Sequence, residues 1–139
     1  MRNAISPKPS ISAGLGQIER DPGNLGAARQ HYEEAVAIYP TQGDPLKLAH
    51  TVRHLADILQ DQGELDLAEP CYDEALKIYR ADQRTPPLDL ANAIRGLAIL
   101  KHGEAEQAKL LWTEARDLYA SAGVQAGAAE SSRRLGLLE

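Results

Sequence analysis

The sequence predicts an all-α protein, an α-solenoid of antiparallel helix hairpins with about seven helices. Three observations predict it: an internal repeat, helical spacing of apolar residues inside each repeat, and glycine or proline at the boundaries. Gly23–Tyr39, Gly63–Tyr79 and Gly103–Tyr119 align without gaps and read GNLGAARQHYEEAVAIY, GELDLAEPCYDEALKIY and GEAEQAKLLWTEARDLY. The opening Gly, Ala28/Ala68/Ala108, Glu34/Glu74/Glu114, Ala35/Ala75/Ala115 and Tyr39/Tyr79/Tyr119 are identical in all three, and Tyr32, Tyr72 and Trp112 are always aromatic. A looser unit precedes each of the last two copies and follows the third: LAHTVRHLADIL (Leu48–Leu59), LANAIRGLAIL (Leu90–Leu100) and AAESSRRLGLL (Ala128–Leu138). Its skeleton is a small residue, Arg four later, Leu two further on, then Ala or Gly; Leu15-Gly16 is a worn remnant of it. A lone hairpin cannot hide its whole apolar surface, so repeats at this scale stack on one another.

Each unit carries apolar residues three and four apart, as in Ala28, Tyr32, Ala35 and Tyr39 or Val52, Leu55, Ala56 and Leu59. That is helical spacing and not strand alternation. Residues 1–9, with two prolines and no periodicity, are expected to be a flexible arm. Residues 10–139 then form one domain with repeats over about 10–39, 44–80 and 86–120 and a terminal helix over 124–138. Gly23, Gly63 and Gly103 fall between the first and second helix of each hairpin, where a left-handed residue ends one helix at no steric cost to Gly. Asp44-Pro45 and Thr85-Pro86-Pro87 should open first helices with a cap and early prolines. Tyr39–Gly43 and Ala81–Pro87 read as loops, Gly123 as the break before the terminal helix, and Pro70 as a kink inside a second helix. Gly16, Ala56, Ala98 and Gly136 on the first helices, with Ala28, Ala68 and Ala108 on the second, should let two backbones approach while aromatics fill the wedge. Trp112 is therefore read as core and not as a ligand platform.

Composition narrows the function classes. The chain has 139 residues, 43% hydrophobic and 25% charged, with no Phe, an Ala- and Leu-rich profile that favours helix. Fifteen Lys and Arg against 20 Asp and Glu give a net charge of −5, where a nucleic-acid binder would show a basic surplus. No apolar run is long enough to span a membrane, and Met1–Ser10 carries no secretory signal. With the lone Cys71, these features set the expectation of a reducing, cytoplasmic setting.

A glycine between two helices, Ala five later, an aromatic four beyond, Ala three beyond that, and Leu-Ala in the preceding helix resemble the tetratricopeptide repeat. The resemblance covers about Ile11 to Leu138. Its 40-residue spacing is longer than the common 34-residue form and is similar to the kinesin-light-chain-like and bacterial stand-alone branch. The turn after Leu97-Ala98 is two residues shorter than the one after Leu55-Ala56. The resemblance implies a right-handed solenoid that binds a protein or peptide in a concave groove lined by first helices, with no cofactor and no catalysis.

On that reading His50, Arg53, Asp57, Asn92, Arg95, Ile99 and Arg133 line the groove, with Gln60 as a further polar flank. Arg53, Arg95 and Arg133 occupy one slot of successive first helices, and such a row could take acidic side chains or a C-terminal carboxylate. Local pairing, Arg53 with Asp57 and Arg133 with Glu130, is the alternative. The family's carboxylate-clamp members use Lys and Asn at set positions; only Asn92 with Arg95 partly matches, so that function is not carried over. His50, His54 and Asp57 at i, i+4 and i+7 could chelate zinc, but no Glu follows the first His and no Cys cluster adds a ligand, so a solvated face is read and no metal is assigned. Cys71 reads as a small buried apolar residue, and the Glu34/Glu74/Glu114 column as a solvated outer face. No nucleophile–base pair or phosphate loop is present. Other readings are a homodimer through a terminal helix bearing Leu135, Leu137 and Leu138, or a regulatory enzyme subunit.

Overall fold

Asp44 caps the start of the helix that opens at Pro45. Its carboxylate accepts the Leu46 N–H at 3.0 Å, while Pro45 supplies a pre-set first-turn φ and Gly43 takes φ 73° at the join. The computed structural model describes residues 25–138. They form α1 (Leu25–Gln42), α2 (Pro45–Asp61), α3 (Leu65–Ala81), α4 (Pro87–Leu100), α5 (Ala105–Ser121) and α6 (Gln125–Leu137), with no strand among the described residues. The fold is all-α and built from helical repeats. The expected arm over residues 1–9, Leu15-Gly16 and Gly23 lie outside the described residues.

Several boundaries differ from the sequence reading. Tyr39–Gln42 continue α1, so the connection to α2 shrinks to Gly43-Asp44. Thr85 does not cap α4; its hydroxyl donates to the Tyr79 carbonyl at 2.7 Å and closes the end of α3, leaving Pro86 as the cap and Pro87 as the first helical residue. Gly63 (φ 79°) and Gly123 (φ 76°) adopt the left-handed conformation, but Gly103 does not. The shorter turn explains this: α4 stops at Lys101 with φ −91° and ψ 20°, and the Glu104 N–H returns to the Lys101 carbonyl. Pro70 lies in the second turn of α3, which runs through it without a break. There the missing N–H deprives only the Asp66 carbonyl, one turn back.

The chain divides into two compact units at Ala75–Leu76, within α3. In the unit ending at Ala75, α1 packs on α2 and the core holds Tyr32, Val52, Ile58 and Tyr72, with Ala56 and Ala68 fully buried beside them. Tyr32 stacks on His54 with ring centroids 5.6 Å apart. In the unit beginning at Leu76, α4 packs on α5 and α5 on α6 around Tyr79, Ile94, Trp112 and Tyr119. Arg134 of α6 lies over the Trp112 ring, 5.2 Å from its centroid. The pairs Tyr32–His54 and Trp112–Arg134 obey one rule, since His54 and Arg134 each follow the arginine of the repeated slot. An aromatic of a second helix packs against the next first helix just past that arginine.

Gly127 carries the tightest approach. A Cβ there would meet three ring carbons of Tyr119 at 2.5–2.8 Å, whereas one at Gly136 would meet nothing within 4 Å. Gly127→Ala should therefore cost about 1–3 kcal/mol through overpacking, while Gly136→Ala should be neutral or slightly stabilising. Thermal melts of the two variants check this.

Candidate functional site

The repeated arginine slot meets three different surroundings. Arg53 is 91% shielded from solvent on α2; one guanidinium NH donates to Asp57 Oδ2 at 3.5 Å, and its Nε makes no hydrogen bond. Asp57 also accepts the Tyr72 hydroxyl, so Arg53, Asp57 and Tyr72 tie α2 to α3 inside one unit. Arg95 on α4 is half-exposed and forms a two-pronged bridge to Glu130 of α6, Nε to Oε1 at 2.6 Å and NH2 to Oε2 at 3.0 Å. Arg133 on α6 is exposed. Only the first surrounding is the interior.

Glu130 gathers the charge in the unit beginning at Leu76. Hydrogen bonds from Arg95 hold its carboxyl below the usual carboxylate range against the opposing effect of burial, and the charges of Arg95, Arg134 and Arg133 add to this. The sequence reading paired Glu130 with Arg133 three residues later. The side chains that reach it are Arg95, from the preceding first helix, and Arg134 at 4.0 Å. A signal for this was present: in the first-helix alignment Glu130 stands where α4 has Asn92. Asn92 is used in the same region, its Oδ1 accepting the Tyr119 hydroxyl at 2.7 Å. Ile99 is half-buried at the end of α4.

On the second helices, Arg80 of α3 bridges Glu114 of α5 with bonds of 2.6 and 2.9 Å, which raises the Arg80 pKa further. Glu114 is thus engaged and only partly exposed, a departure from the solvated reading that Glu34 and Glu74 do fit by exposure. Arg80 did not stand out in sequence, and Glu114 stood out only as part of an outer-face column, because the pair spans two repeats.

Residues 48–81 match a family model described as a tetratricopeptide repeat. Those residues are similar to a tetratricopeptide repeat. The match starts in α2 and ends with α3, so it takes in Arg53, Asp57 and Tyr72. Among solved structures the chain is similar to BtubC (BKLC) from P. vanneervenii, with a TM-score of 0.65 at 18% identity over 96% of this chain. It spans 65% of that protein's length, and the likeness is one of fold. No curated protein matches the sequence.

The repeat frame also places the remaining candidates. His50 and Gln60 are half-buried on α2, and His54 is buried against Tyr32. His50, His54 and Asp57 do not converge: among the described residues no group of three His, Cys, Asp or Glu could hold a metal ion. Their helical spacing shares a face loosely, and the inner ring is spent on packing. Cys71 is half-buried, not fully enclosed, and burial pushes its thiol pKa up, with Glu74 and Glu33 adding to the rise. It stays a thiol at neutral pH. No described helix is long and apolar enough to cross a membrane.

Two measurements test the arginine assignments. Arg53→Ala should cost roughly 2–4 kcal/mol in denaturant unfolding, since it strips a shielded pair, while Arg133→Ala should change stability by less than about 0.5 kcal/mol. Glu130 titrates lower when folded than unfolded, so its contribution is present above the unfolded pKa near 4.5 and fades as pH falls through the depressed value. The stability gap between wild type and Glu130→Gln should accordingly shrink on acidification from pH 7 to pH 3, as read by urea midpoints.

Proposed function

We propose that the chain is a non-catalytic, cytoplasmic protein-interaction module that presents, on its first helices α4 and α6, a contact face to an acidic peptide or helix of a partner protein. One observation carries the reading: in a chain with net charge −5, a single carboxylate, Glu130, sits in the field of three guanidinium groups, Arg95, Arg133 and Arg134. The α4–α6 face is therefore locally cationic, and Arg133 is exposed to a ligand. An incoming carboxylate pairs with Arg133 and competes with Glu130 for half-exposed Arg95, each through charged, two-pronged hydrogen bonds. Asn92 and Ile99 flank these arginines on α4. Half-buried His50 on α2 is a separate candidate within the other unit, where Arg53 and Asp57 are tied to Tyr72. The tetratricopeptide match over 48–81 supports an interaction module in place of an enzyme.

The test is capture of partners from the native host's lysate by wild type and by Arg133→Glu. Charge reversal at an exposed position should leave folding intact and cut recovery about tenfold. Raising salt from about 0.05 to 0.5 M should weaken wild-type capture in parallel, because exposed charges are screened. Equal recovery by both proteins would end the acidic-partner reading and leave the fold untouched.

A further inference from the structure

Four residues beyond the slot of Arg53, Arg95 and Arg133, the three first helices carry Asp57, Ile99 and Leu137. On α2 the arginine therefore finds a carboxylate one turn along its own helix, and the pair is enclosed, with 10% of the Arg53 side chain exposed. On α4 that place is apolar. Arg95 takes its carboxylate from α6 instead, at Glu130, and 42% of its side chain stays exposed. Glu130 stands where α2 and α4 carry His50 and Asn92, neither of which is a carboxylate. Both of its oxygens are on the Arg95 fork, Oε1 on Nε at 2.6 Å and Oε2 on NH2 at 3.0 Å. That is the contact by which an arginine recognises an acidic ligand.

We propose that Glu130 is an internal competitor: the chain's own carboxylate holds the Arg95 fork in place of a partner's, and an acidic segment engages Arg95 by moving Glu130 towards Arg134. This regulation rests on the acidic-partner reading above. Release of Glu130 is cheap, because Arg134 already lies 4.0 Å from its Oε2 and the freed carboxylate keeps a cation beside it. A bridge this exposed is weak, so holding the fork lowers a ligand's affinity by about fivefold and does not abolish binding. The device also sorts ligands. A neutral amide or hydroxyl brings no charge to set against that of Glu130, so Arg95 opens to anions. Asp57 offers no such exchange on α2, where its pair with Arg53 is shut away from solvent.

The experiment titrates the full chain into fluorescein-labelled decaglutamate at low salt, followed by anisotropy, with labelled decaglutamine as the uncharged control. Wild type should bind the acidic peptide saturably and the control not at all. Glu130→Gln should bind the acidic peptide about fivefold more tightly. In an Arg95→Ala background the same substitution should give no gain. Urea midpoints show that the variants fold, and Glu130→Gln should be no more stable than wild type, so a firmer scaffold is not the source of the gain. Unchanged or weaker binding by Glu130→Gln overturns the competitor and leaves the acidic-partner reading standing. An equal gain in the Arg95→Ala background overturns it too, since loss of a negative charge then accounts for the effect. Absence of saturable binding by both wild type and Glu130→Gln sinks the competitor and the acidic-partner reading together.

Discussion

The aromatic side chains of the second helices govern where each following first helix can lie. Tyr32 stacks on His54, Trp112 receives Arg134, and Tyr119 presses on Gly127 so closely that no Cβ fits there. Fully burying such a side chain stabilises by about 2–3 kcal/mol, more than any exposed ion pair in the molecule can supply. The alanines exist to allow it. Ala56, Ala68, Ala98 and Ala108 have almost no exposed surface, and anything larger would hold the backbones apart and leave the rings short of contact. Close approach and ring burial are therefore one requirement, which is why small and aromatic positions recur together.

The same coupling explains what could be read in the sequence. Helix existence, order and core were legible because they depend on residue size and spacing: Trp112 is buried where Tyr32 and Tyr72 predict, and Ala35, Ala68, Ala75, Ala108 and Ala115 vanish from the surface. Boundaries were less legible where two local signals competed. Thr85 had the chemistry of a cap, but the Tyr79 carbonyl took its hydroxyl and two prolines took over the helix start. Gly103 had the position of a left-handed residue, but the shortened turn closes through Lys101 instead.

The charged residues were hardest to read, because the partner of a surface charge is chosen by the fold and not by sequence distance. Glu130 has Arg133 and Arg134 nearby in the chain and still accepts its best bonds from Arg95, 35 residues away. Glu114 likewise takes Arg80, 34 residues away, in preference to neighbours on its own helix. Each separation is close to one repeat. Alignment of successive repeats, and not the helical i to i+4 rule, is the pattern that would have found both.

Those two bridges lie in one unit, the first between first helices and the second between second helices. Each is more than a third exposed on the arginine side, at 42% for Arg95 and 45% for Arg80, so solvent screens most of the attraction and each adds at most about 1 kcal/mol. Their value is geometric. A two-pronged guanidinium–carboxylate contact fixes both distance and angle, so a pair on each kind of helix sets the register in which α5 and α6 follow α3 and α4. Arg53 shows the other use of its slot: shielded and tied to Asp57, it belongs to the packing of α2 and α3. The same slot thus serves as packing at Arg53, as a half-exposed bridge at Arg95, and as an exposed guanidinium at Arg133.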